Sequence, residues 1–160
     1  RHGRRVVVVD ADLRRRTLGR ALGFRGAGVS SVLSDTVSLN DALECVDLGQ
    51  VNSQAFGGSH LWVLPAGPTP PNPGEFVASP RFGALLSELE DEFDLVVVDS
   101  PPLLVASEAL VLAEKCSCVL MVVALDLVTR SELQAGLAAL GPLHFFAGAL
   151  PQLEETIRGL

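Results

Sequence analysis

The sequence predicts an α/β domain, a mostly parallel sheet with helices on both faces. Three observations predict it. Four short runs, Val6–Val9, Leu61–Leu64, Leu95–Val98 and Val119–Ala124, are continuously apolar rather than alternating, which is how strands covered on both faces read. Helical patterns lie between the later runs, so the strands are joined by crossovers and lie parallel. Two runs end directly in aspartate, at Asp10 and Asp99, and the last reaches Asp126 soon after.

Taken in order, the first element is the valine strand Val6–Val9. An arginine-rich surface helix follows it. Residues 26–60 are the least regular stretch, with short helical possibilities around Val32 and over Asp41–Cys45. The run Leu61–Leu64 enters the loop Ala66–Pro73, AGPTPPNP, whose prolines remove donors and restrict the residues before them. Ser79 and Pro80 read as an N-cap and first-turn proline. Phe82, Leu85, Leu86, Leu89 and Phe93 then share one helical face. Residues 106–115 and 130–140 are helical by propensity. A last strand is expected within His144–Ala149 and a last helix over Gln152–Arg158.

The aspartates carry the chemistry. In an open parallel sheet, ligands bind beyond the carboxyl ends of the strands. Asp10, Asp12 and Asp99 fall there, and Mg²⁺ takes one or two carboxylates together with substrate phosphates. A strand-terminal aspartate can also simply cap the next turn, but three of them after two valine-rich runs point to a metal.

The motifs VVVVDADLRR and FDLVVVDSPP resemble the Walker A′ and Walker B segments of bacterial tyrosine kinases of capsular and exopolysaccharide biosynthesis. These kinases lie within the P-loop superfamily that also holds partition and septum-site ATPases. The segment LWVLPAGPTPPNPGEFVASPRFGALLSELEDEFD between them is similar to the same family, so the likeness runs over roughly residues 4–130. It implies an ATP- and Mg²⁺-dependent tyrosine autokinase. Its partner would be a membrane-spanning polysaccharide chain-length regulator, fused or separate. The expected location is the cytoplasm, held at the inner face of the membrane through that adaptor, with the parent protein a homo-oligomer. By position, Asp10 and Asp99 would hold Mg²⁺ and nucleotide, Asp12 would accept the tyrosine hydroxyl proton, and Arg14 could reach phosphate. A solvated Arg14 at a helix start is an equal alternative.

Two departures stand against the family pattern. No G-x-x-x-x-G-K-[ST] phosphate loop is present: Lys115 is the only lysine and follows Glu114, and Gly57–Gly58–Ser59 lacks both the lysine and the spacing. There is also no tyrosine. The expectation is therefore a single nucleotide-binding domain over 1–160, incomplete at its N-terminus. The Walker A segment would lie upstream, and the strand carrying it would be the absent neighbour of Val6–Val9. A partition- or septum-type switch ATPase and a degenerate partner-binding module remain the alternatives.

Composition narrows the class further. Of the 160 residues 48% are hydrophobic and 19% charged, which excludes a disordered chain. The longest apolar run, Cys118–Leu125, falls short of the ~20 residues of a membrane span. Three cysteines, Cys45, Cys116 and Cys118, form no zinc pattern and read as buried or strand-edge thiols. Charge is segregated. Residues 1–25 hold eight arginines against two aspartates, +6, while the remainder holds four basic and seventeen acidic residues, −13. Without aromatics among the arginines, a nucleic-acid platform is not expected.

Overall fold

The computed structural model describes residues 4–48, 60–124 and 127–140, and the backbone of 145–149. Asp126, Gly57–Gly58–Ser59 and the expected helix Gln152–Arg158 lie outside the described residues. The chain divides into two compact units, Arg1–Pro101 and Pro102–Leu160.

In the first unit, β1 (Val6–Asp10), β2 (Glu44–Asp47), β3 (His60–Leu64) and β4 (Leu95–Asp99) form one sheet in the order β2-β3-β1-β4. β1 is parallel to both neighbours. Its register sets Val9 beside Leu64 on one side and beside Val98 on the other, and brings Asp10 level with Asp99. The valine strand therefore has two paired neighbours, where the sequence suggested an absent one. The edge of this sheet is β4. β2 runs antiparallel to β3; its ECVD sequence suits a short, charged edge strand. The helix expected over Asp41–Cys45 is instead α3 (Leu39–Ala42), capped by the Ser38 hydroxyl accepting from the Asp41 N–H, and Glu44 and Cys45 already belong to β2.

Two further short helices, α1 (Thr17–Ala21) and α2 (Val29–Leu33), follow β1. After β3 the proline loop passes into α4 (Pro73–Ala78), which starts on Pro73 with Glu75 in its first turn. This helix is too short for periodicity to show it. α5 (Pro80–Glu92) follows, with the Ser79 hydroxyl accepting from the Phe82 N–H. It buries Phe82, Leu85, Leu86 and Leu89, with Phe93 just beyond, the face expected from spacing. Phe93 meets Trp62 edge-on at 6.2 Å and carries the Arg5 guanidinium 4.8 Å above its ring. Arg5 also pins the start of β4, its N–H bonded to the Asp94 carboxylate at 2.7 Å.

Continuous apolarity did not translate into cover on both faces everywhere. Val7 and Val9 are fully buried, but Leu95 and Val97 of β4 are 49% and 41% exposed. Those two share a face with Asp99, while Val96 and Val98 face the way of Val7 and Val9.

The second unit holds α6 (Glu108–Lys115), β5 (Val119–Val123), α7 (Arg130–Leu140) and β6 (Phe145–Ala149), with β5 and β6 paired in parallel. α7 approaches closely through Gly136, where an added Cβ would touch Leu103 and Met121 at 3.4 and 3.8 Å. Cys45 lies on the edge strand β2, Cys118 just before β5, and both are exposed; Cys116 is half-buried. Among the described residues no helix is long and apolar enough to cross a membrane.

Candidate active site

The carboxyl ends of β1 and β4 place Asp10 and Asp99 level on adjacent strands, tied by a 2.8 Å bond from the Ala11 N–H to the Asp99 carbonyl. Asp12 follows two residues on. All three carboxylates belong to the first unit.

Asp10 is wholly buried. Its Oδ2 accepts from the Gly19 N–H at 3.2 Å, while Oδ1 meets no hydrogen-bond donor among the described residues. Burial, and then the negative charges of Asp99 and Asp12, raise its pKa; the Gly19 and Asp12 N–H groups offset part of that rise. Gly19 packs here without crowding. An added Cβ would lie 3.5 Å from Pro65 and 4.0 Å from the Asp10 carboxylate. The Asp99 side chain stands exposed at the rim, yet partial burial and the charge of Asp12 raise its pKa as well.

Asp12 is 7% exposed, and its Oδ1 accepts from the Arg15 N–H at 3.0 Å. The Arg16 N–H closes on the Asp12 carbonyl at 2.9 Å. The capping role weighed from sequence is thus real for Asp12, and it fixes that carboxylate in place. Arg14 is exposed on the turn between Asp12 and α1.

Behind the site is a close backbone contact that sequence reading missed. The N–H groups of Val29 and Ser30 donate to the carbonyls of Pro65 and Ala66 at 2.7 and 3.1 Å, and the Ser30 hydroxyl donates to the Pro68 carbonyl at 2.6 Å. Both faces of this clamp are glycine. A Cβ on Gly28 would lie 2.0 Å from the Pro65 carbonyl oxygen, and Gly67 has φ +76°. Pro65 therefore joins the clamp to Gly19 and so to Asp10. Glycines at 28 and 67 were the available signal.

The chemistry of the donor set suits a cation. A buried carboxylate oxygen without a donor, beside two like charges, is costly unless a positive group neutralises it. No cluster of three or more His, Cys, Asp or Glu with metal-holding geometry occurs among the described residues. Mg²⁺ draws on one or two carboxylates and completes its shell with water and phosphate.

No family model matches the sequence. The chain is 35% identical over 111 residues to the tyrosine-protein kinase YwqD of Bacillus subtilis, covering 69% of this chain and 43% of that protein. It is 31% identical over 137 residues to the tyrosine-protein kinase Etk of Escherichia coli K12, covering 85% of this chain and 18% of that one. The solved kinase domain of E. coli Etk superposes with a TM-score of 0.75 at 28% identity, over 92% of this chain and 55% of that chain.

The chain belongs with the bacterial tyrosine kinases. The MinC:MinD complex of Aquifex aeolicus shares the fold, with a TM-score of 0.65 at 20% identity, over 98% of this chain and 61% of that one. The chain spans about half the length of some curated relatives and under a fifth of the longer ones.

Proposed function

We propose that this chain is the greater part of an ATP-dependent tyrosine kinase domain acting in capsular or exopolysaccharide synthesis and export. The observation that carries the reading is the level pairing of Asp10 with Asp99 at the sheet's carboxyl end, with Asp12 fixed beside them in a tyrosine-kinase fold. Asp10 and Asp99 would hold Mg²⁺; bound there, the ion neutralises phosphate charge. Asp12, immobilised by the Arg15 N–H, is positioned to accept the proton of an incoming hydroxyl. Arg14 is the candidate for phosphate contact.

None of the 160 residues forms a G-x-x-x-x-G-K-[ST] cradle. In this reading the phosphate loop is supplied by a segment outside them, so this chain alone binds ATP weakly. The adaptor would be a membrane-spanning chain-length regulator, fused or separate, and the working parent protein an oligomer at the inner face of the membrane.

Phosphotyrosine immunoblotting of the parent protein, beside an ATP hydrolysis assay, tests the activity. Phosphotyrosine on the protein or its co-expressed partners is expected. Hydrolysis without any phosphotyrosine would replace the kinase with a MinD-type switch.

A further inference from the structure

We propose that the basic turn and short helix beside Asp12 form a docking surface for an acidic peptide segment that brings the acceptor hydroxyl, with Arg15, Arg20 and Arg25 as specificity-determining residues. The inference rests on the kinase reading of the same site and names the kind of segment it accepts.

The first observation is charge segregation. Residues 14–25 hold five arginines and no acidic residue in a chain of net charge −7, so positive charge is concentrated on the turn and helix that follow Asp12. Arg15, Arg20 and Arg25 are all exposed, while the neighbouring carboxylates Asp10 and Asp12 are buried. Among the described residues the recorded ion pair, Arg81 with Asp35, lies elsewhere. The Arg20 guanidinium instead donates to the Arg15 carbonyl, which holds the turn without neutralising it.

The second observation is that backbone bonds fix this surface relative to Asp12. The Arg15 and Arg16 N–H groups both close on Asp12. Arg16 is held in the left-handed region, φ 54°, a conformation a non-glycine residue adopts only when its surroundings impose it. Farther along, the Phe24 N–H returns to the Gly19 carbonyl at 2.8 Å. Gly19 in turn is bonded to Asp10, so the segment leading to Arg25 is anchored to the same site.

Electrostatics then selects the partner. Three clustered carboxylates repel an acidic chain, and a hydroxyl embedded in one would be turned away without adjacent cations. Guanidinium groups offer planar forks that match carboxylates. Placed beside the proton acceptor, they attract the charges flanking the hydroxyl while leaving the hydroxyl itself to Asp12. Such complementarity sets encounter rate and selectivity more than raw affinity.

Fluorescence anisotropy with the full chain tests this directly. The probes are three peptides of one length: a tyrosine flanked by glutamates, by glutamines, or by lysines. The glutamate peptide is expected to bind about tenfold more tightly than the glutamine peptide at low salt, and the difference should shrink at high salt. The triple substitution Arg15→Gln, Arg20→Gln, Arg25→Gln should abolish the preference while leaving the melting temperature in place. Equal affinity for the glutamate and glutamine peptides would overturn the inference. So would tighter binding of duplex DNA or of phosphatidylserine vesicles than of the glutamate peptide. In the parent protein, the triple variant should raise KM for the acidic peptide more than it lowers kcat. A parent that phosphorylates both peptides equally keeps the kinase reading and removes this one. A parent that makes no phosphotyrosine, with a chain that still selects the acidic peptide, does the reverse.

Discussion

Two strands of nearly the same sequence, VVVVD in β1 and LVVVD in β4, sit in different surroundings. β1 is interior, paired on both sides, with Val7, Val9 and Asp10 at 0% exposure. β4 is the sheet edge, with Leu95 and Val97 half open and its aspartate at the rim. The comparison teaches that sheet position, not local composition, decides what a strand-terminal carboxylate becomes. At β1 it is a buried group held by the Gly19 N–H and backed by the Gly28–Gly67 clamp; at β4 it is an open carboxylate. A cation between them would meet one rigid and one adaptable oxygen donor.

The largest expected effect comes from breaking the support of the interior side. Gly28→Ala forces a methyl onto the Pro65 carbonyl, and we expect a loss of about 3 kcal/mol. Chemical denaturation measures it; a change under about 1 kcal/mol would show that the clamp yields and does not support β1.

Next comes the contrast within the strands themselves. Val9→Ala empties a fully buried site and should cost roughly 2 kcal/mol. Val97→Ala, at a site 41% exposed, should cost about 0.5 kcal/mol or less. Equal losses from the two substitutions would mean that β4 is covered in solution.

Much of this contrast was legible beforehand, and its limits are physical. The apolar runs located β1, β3, β4 and β5, and the aspartates ending β1 and β4 marked the carboxyl end where the candidate site lies, because hydrophobic continuity and strand ends are local properties. Whether a run is interior or edge depends on partners far along the chain, so the exposure of Leu95 and Val97 was not readable. β2 was missed because ECVD is a polar edge strand, and α4 because six residues carry no period. Asp10, Asp12 and Asp99 were visible by type and position. What was hidden is their support: Gly19 acts through its backbone N–H, and Gly28 and Gly67 through the absence of a side chain, which spacing alone does not reveal.

The smallest effect is electrostatic. Asp10 has a raised pKa in the fold, so the folded state binds its proton more tightly than the unfolded chain does. That stabilisation is present at low pH and is lost as pH rises above the ordinary carboxylate range and through the raised value. Asp10→Asn should therefore flatten the fall in stability over that interval. At neutral pH without Mg²⁺ it should raise the melting temperature, on the order of 1 kcal/mol in stability. Asp99→Asn, at the open rim, should shift it less. Melting curves across pH check both, and an Asp10→Asn protein less stable than the original at neutral pH would contradict the assignment of a strained buried carboxylate.

The most direct measurement separates nucleotide binding from phosphotransfer in the parent protein carrying Asp12→Asn or Asp99→Asn. Mg²⁺·ATP affinity by calorimetry is set beside single-turnover phosphotyrosine formation. Asp99→Asn is expected to weaken Mg²⁺·nucleotide binding. Asp12→Asn should leave binding largely intact and slow phosphotransfer by roughly 10²–10⁴-fold, the range of a lost general base. If Asp12→Asn transfers phosphate at the original rate, or Asp99→Asn binds Mg²⁺·ATP as tightly as the unmodified protein, the proposed division of labour among the three aspartates is wrong.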